Sequence, residues 1–144
     1  MKAKDLRQDN LITLSTDKYK IYKVLRVTNN LVTIDLTHDN WYDERSFNIK
    51  DIRPVKITDE LLNKLGFIKE DKGYGDFFSL PLSHYIATLK YNCFIDEYEL
   101  RISVKDNTVI LTTVVTYFHK LQNIIYDVVD LELDIDNIIK SLNK

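Results

Sequence analysis

A chain of 144 residues, 44% hydrophobic and 29% charged, has the composition of a globular domain rather than a disordered one. At that length folding buries roughly two-thirds of the surface, so a core can form without disulfides or metals. The net charge of −2 lacks the basic footprint of most nucleic-acid modules. No apolar run approaches the ~18 residues of a transmembrane helix.

The opening Met1-Lys2-Ala3-Lys4-Asp5-Leu6-Arg7 is basic with no apolar stretch behind it, unlike a signal peptide. Without linkers or repeats, residues 1–144 read as a single domain. Leu11-Ile12-Thr13-Leu14 is a short apolar strand pattern. Tyr19 to Val27 alternates, with Lys20, Tyr22, Val24 and Arg26 on one side. Asn29-Asn30 tolerates the positive φ of a tight hairpin, and Leu31 to Leu36 resumes the β pattern. A polar loop, 38–45, leads to a return strand, Ser46 to Ile49. Thr58 is an N-cap with Asp59 and Glu60 behind it, Ile57 and Leu62 are spaced as a staple, and Gly66 suits a left-handed ending. That predicts a helix over 58–65.

Further strands follow at Phe67 to Lys72, Asp76 to Leu82, Ile86 to Tyr91, Tyr98 to Val104 and Val109 to Thr113. Gly73-Tyr74-Gly75 and Lys105-Asp106-Asn107 are turn signals. The period then changes. Tyr117, Phe118, Leu121, Ile124, Ile125, Val128 and Val129 mark an amphipathic helix over 115–129, and Asp136 to Leu142 a short last one. The predicted fold is α+β: one twisted, mostly antiparallel sheet with the late helix packed on it. Leu62, Phe67, Phe118, Leu121, Ile125 and Val128 are expected in its core.

Three stretches resemble a family of small proteins encoded by phages and prophages of Bacteroidetes bacteria. They are Met1 to Arg7 with Asn10-Leu11, then Ile52-Arg53-Pro54-Val55-Lys56-Ile57-Thr58-Asp59-Glu60-Leu61-Leu62 with Lys64-Leu65-Gly66-Phe67, and Tyr117-Phe118-His119-Lys120-Leu121-Gln122-Asn123. The chain departs from the family pattern at Asp9, usually glycine, at Lys56, usually proline, and at Asp127 to Asp130, where Thr-Gly usually ends the helix. The family brings no activity with it. The resemblance implies an accessory protein working in the cytoplasm of a bacterial host.

Chemistry is sparse. His38, His84 and His119 lack metal spacing, the only cysteine is Cys93, and no cofactor motif occurs. Neighbouring Tyr91 and Phe94 suggest a buried or half-buried, inert thiol. His119 reads as a helix-surface or core-edge histidine bonded to a carbonyl. Asp96, Glu97 and Glu99 leave a carboxylate-based hydrolase as one alternative. Lys18, Lys20, Lys23 and Arg26 leave an RNA-contacting strand as another.

Trp41, Tyr42 and Arg45 in the polar loop have the residue types of interface hot spots. The other reading of Trp41 folds it back over its own sheet. Asp130 and Asp134, in the acidic segment 127–136, could face a basic partner. The sequence therefore points to a non-enzymatic binding protein, without metal or membrane, as a monomer or weak homodimer. Together with the phage resemblance, this makes the expected partner a host defence protein, above all a CRISPR effector nuclease, and the expected role anti-CRISPR inhibition.

Overall fold

The computed structural model describes residues 1–37, 41–71, 76–106 and 108–143. The expected Gly73-Tyr74-Gly75 turn, Asn107 of the next turn, and His38 to Asn40 of the polar loop lie outside the described residues. The fold is α+β and mostly antiparallel β-sheet, but the strands among the described residues form two five-stranded sheets rather than one. Alternation marks which residues lie in strands and leaves open which strands pair. The chain divides into two compact units: Met1–Lys56 with Tyr117–Asn123 and Asp134–Lys144, and Ile57–Thr116 with Ile124–Leu133.

In the first unit, β1 (Leu11–Leu14), β2 (Asp17–Thr28), β3 (Leu31–Asp35), β4 (Glu44–Asn48) and β5 (Ile52–Pro54) take the order β4-β3-β2-β1-β5. Asn29 sits at φ 53° in the tight turn where Thr28 pairs with Leu31, as its tolerance of that region predicts. β2 does not alternate regularly. Val24 pairs with Ile34 but Arg26 with Thr33, so one extra residue enters the strand, and a second register shift lies between Ile12 and Leu14 of β1. Tyr22, Val24 and Val27 consequently all pack against the core formed by Leu6, Ile12, Leu14, Val32, Ile34 and Ile52, while Arg26 is exposed.

The second unit holds α1 (Asp59–Lys64) and the meander β6 (Ile68–Asp71), β7 (Asp76–Leu82), β8 (Tyr85–Asn92), β9 (Glu97–Val104) and β10 (Val109–Val115). The Thr58 hydroxyl accepts from Leu61 N at 3.2 Å, capping α1. Gly66 takes φ 92°, so Phe67 N reaches Leu62 O and Gly66 N reaches Asn63 O, which closes the helix. The Tyr98 hydroxyl donates to Asp59 at 2.8 Å in the first turn of α1. Phe78, Leu89 and Leu100 lie opposite one another on adjacent strands and are fully buried.

Two helices follow, α2 (Phe118–Val129) and α3 (Asp136–Leu142). α2 starts later than its periodicity suggests because Val115 still pairs with Tyr98 in β10. Leu62, Phe67, Phe118, Leu121 and Ile125 are buried as expected, and Val128 is half-buried.

Polar groups of α2 complete the first unit. The buried Gln122 carboxamide accepts from Leu11 N at 2.9 Å and donates to Asp9 O at 2.9 Å. Asn123 accepts from Asn10 Nδ2 at 2.8 Å and donates to Asp5 O at 3.0 Å. Replacing Gln122 with leucine keeps the volume but strips two backbone groups of their partners. We expect Gln122→Leu to cost about 3 kcal/mol in urea denaturation, because each buried orphan costs roughly 1–3 kcal/mol. A loss well under about 1 kcal/mol would show that the carboxamide does not hold these segments.

Candidate functional site

The polar loop just before β4 carries two exposed aromatics of the first unit, Trp41 and Tyr42. Trp41 is 81% exposed and Tyr42 75%, so Trp41 does not fold back over its sheet. The Tyr42 hydroxyl donates to Glu44, which also accepts from Arg26 Nη2 at 2.6 Å. These bonds, Tyr42's first and Arg26's second, hold Glu44 below its ordinary pKa, and the same bond raises Tyr42. Arg45 is exposed, with Nη2 3.7 Å from Asp43. Trp41, Tyr42 and Arg45 therefore stand together in sequence and at the surface, with Tyr42 tethered by a carboxylate.

The basic strand does not assemble into one face. Lys18 and Lys20 are exposed, and Lys18 Nζ lies 5.4 Å from the centre of the exposed Tyr19 ring. Lys23 is tied to Asp136 at 2.9 Å and Arg26 to Glu44. Tyr22, expected beside Lys20 and Arg26, packs on the core and donates to Asp17 at 3.0 Å. Burial, then the Asp17 bond, pushes its pKa up to about 12. The register shifts in β2 are the reason, because each extra residue reverses the alternation beyond it.

Asp130 and Asp134 are both exposed. Asp130 belongs to the second unit and Asp134 to the first. Asp130 takes φ 57° directly after α2, with its N donating to Tyr126 O at 2.8 Å. It serves as a left-handed helix ending, a position that aspartate tolerates.

The three acids considered for hydrolysis each have a local partner: Asp96 accepts from the Tyr91 hydroxyl, Glu97 from that of Thr116 and Glu99 from Asn92. His84 is exposed. Among the described residues no group of three or more His, Cys, Asp or Glu side chains could hold a metal ion. Cys93 is exposed rather than buried. It lies in the β8–β9 turn, where Phe94 N bonds the Asn92 side chain and Phe94 itself is 95% exposed. An aromatic neighbour in a hairpin turn therefore gives the thiol no cover.

His119 differs most from its sequence reading. It is 1% exposed, and neither ring nitrogen has a hydrogen-bond partner among the described residues. Its ring stacks on Tyr117 with centroids 6.2 Å apart and planes 16° apart. It borders a cleft of about 400 Å³ in the first unit, lined also by Lys2, Asp5, Pro54, Tyr117 and Lys120. Burial pushes the His119 pKa down to about 4, aided by nearby Lys120 and opposed by Asp5. Periodicity marked Phe118 and Leu121 as apolar but could not show that the imidazole between them is buried as well. Comparison with known protein families, curated proteins and solved structures yields no match for this chain.

We expect His119 to make the fold acid-sensitive. The unfolded chain binds a proton near the ordinary histidine pKa of 6.5, whereas the folded chain resists until about 4. Its contribution is therefore complete above about 6.5 and is lost as pH falls toward 4, an expected loss of about 3 kcal/mol. Urea denaturation of the wild type and His119→Leu across this range checks it. The wild type should lose more stability than the variant on acidification, and parallel curves would refute the assignment.

Proposed function

We propose that this chain works by stoichiometric binding, as a phage or prophage anti-defence protein. Its finer form is an anti-CRISPR inhibitor that occupies an RNA-guided nuclease in the cytoplasm of the bacterial host. The observation that carries the binding reading is the exposure of Trp41 beside Tyr42, 81% and 75%. Large aromatics beside an arginine are the side chains that dominate interface energetics. The Tyr42–Glu44–Arg26 bonds restrain one of them before any partner arrives, which lowers the entropy lost on association.

The resemblance supplies the phage assignment, and one conformation supports it. Asp9, which stands where the family pattern has glycine, takes φ 68°, a region glycine enters freely. Exposed acids such as Asp130 and Asp134 suit a basic partner. RNA binding by Lys18, Lys20, Lys23 and Arg26 ranks second, because Lys23 and Arg26 are already engaged by carboxylates. No described helix is long and apolar enough to cross a membrane.

The test is plasmid interference in bacteroidete hosts with active CRISPR systems, with and without this protein. Inhibition is expected in at least one CRISPR type, and unchanged interference in all of them overturns the anti-CRISPR reading. With the nuclease in hand, Trp41→Ala should weaken binding by about 2 kcal/mol, roughly thirtyfold. If Trp41→Ala and Tyr42→Ala both bind like the wild type, the partner surface lies elsewhere. A steep fall of RNA affinity with salt would instead favour the second reading.

A further inference from the structure

The two sheets end in four edge strands, β4, β5, β6 and β10. An edge strand offers unpaired backbone groups to any other chain, and proteins usually blunt it with charge, proline or brevity. β4 carries Glu44 and Arg45. β5 is three residues long and contains Arg53 and Pro54. β6 has Lys69, Glu70 and Asp71 in four residues, all exposed, with Lys69 bridging Asp59 and Asp76. β10 has none of these devices. Its seven residues, Val-Ile-Leu-Thr-Thr-Val-Val, hold no charge, proline or glycine. Val109, Ile110 and Val114 are 47%, 49% and 45% exposed. Among the described residues β10 pairs with β9 alone.

We infer that the free edge of β10 is where a second copy of this chain pairs, antiparallel, to form a two-fold dimer. The ladder with β9 slips between Val109 and Leu111, which leaves Leu111 to Val115 as the regular part of the edge. A two-fold axis at Thr113 places Thr112 of each copy opposite Val114 of the other, and Leu111 opposite Val115. Thr112 and Val114 are the exposed members of this stretch, so the pairing joins them into one apolar and hydroxyl patch. Two-fold pairing demands a self-complementary strand. β10 meets that demand, because β-branched residues flank the axis on both sides and no like charges meet. β10 itself offers a charged foreign strand no counter-charge, since Arg101 and Glu99 lie one strand further in, on β9. The assembly closes at two copies, since the sheet's other edge, β6, is charged.

Analytical ultracentrifugation of the full chain over a wide concentration range tests this, with Thr112→Lys and Val114→Lys as variants. Both positions are exposed, and circular dichroism checks that each variant is folded. The wild type should form a dimer as concentration rises, and each lysine should raise its dissociation constant roughly tenfold or more. A wild type that stays monomeric at the highest attainable concentration overturns the proposal, as does a dimer that both variants leave intact. Hydrogen exchange on the wild type reads the same surface without any variant. Amides in Leu111 to Val115 should gain protection with concentration, and unchanged exchange there overturns the proposal too.

Discussion

Buried backbone polar groups must find partners, and in the first unit side-chain carboxamides supply those that the ladders do not. Gln122 is the central case. Asp9 turns the chain through φ 68°, and the Gln122 amide takes Asp9 O and Leu11 N at once. Leu11 is then free to pair with Lys23, and Ile12 and Leu14 enter the core beside Val24 and Ile34. Asn143 does the same for β2. Where the β1–β2 register slips, Ile21 N donates to Asn143 Oδ1 at 2.9 Å and Ile21 O accepts from Nδ2 at 2.6 Å. Two helices thus fill gaps in a sheet with side chains that imitate a strand's own donor and acceptor.

The same requirement explains why Asn10 can be wholly buried. Its Oδ1 accepts from Arg7 N, its Nδ2 donates to Asn123, its N donates to Arg7 O and its O accepts from Val24 N. A network so fully paired is stabilising, whereas one broken link would leave an orphan in a low-dielectric setting. His119 is the contrast within the first unit. Its nitrogens are buried without such partners among the described residues, and burial keeps it neutral. Gln122 and Asn123 thus meet the first unit with paired amides, while His119 one turn earlier meets it with a neutral ring.

Legibility in the sequence followed the range of the interaction. α1 was readable because its cap, its acidic first turn and its Gly66 ending all lie within a few residues of one another. Asn29 was readable from its own tolerance of positive φ, and α3 from apolar residues three and four positions apart. What alternation could not reveal was partnership between distant strands, and hence the division into two sheets. The bulge near Leu25 has no local signal either, yet it takes Arg26 off the inward face that Tyr22 and Val24 share and brings Val27 onto it. Trp41 could be singled out by type alone, while its exposure depends on what the rest of the fold leaves uncovered. Cys93 was misread because aromatic neighbours do not report burial in a hairpin turn, and His119 because a polar side chain in a helix is expected at the surface or bonded, whereas here it is buried beside Phe118.

Charge is used differently on the two sheets. On β4 the carboxylate of Glu44 both neutralises Arg26 and anchors Tyr42, so the charges that blunt this edge also hold an aromatic in place. On β6 Lys69 takes two carboxylates, one of them the Asp59 that Tyr98 also holds, so the charges that blunt this edge also fasten α1 to its sheet. In both places one acid performs two tasks, which a chain of modest size needs. β10 carries no charge to divert and fastens nothing in this way. Its exposed valines and isoleucine have no such second task within the described fold, and an edge free of internal duties is the one a chain can give to another copy of itself.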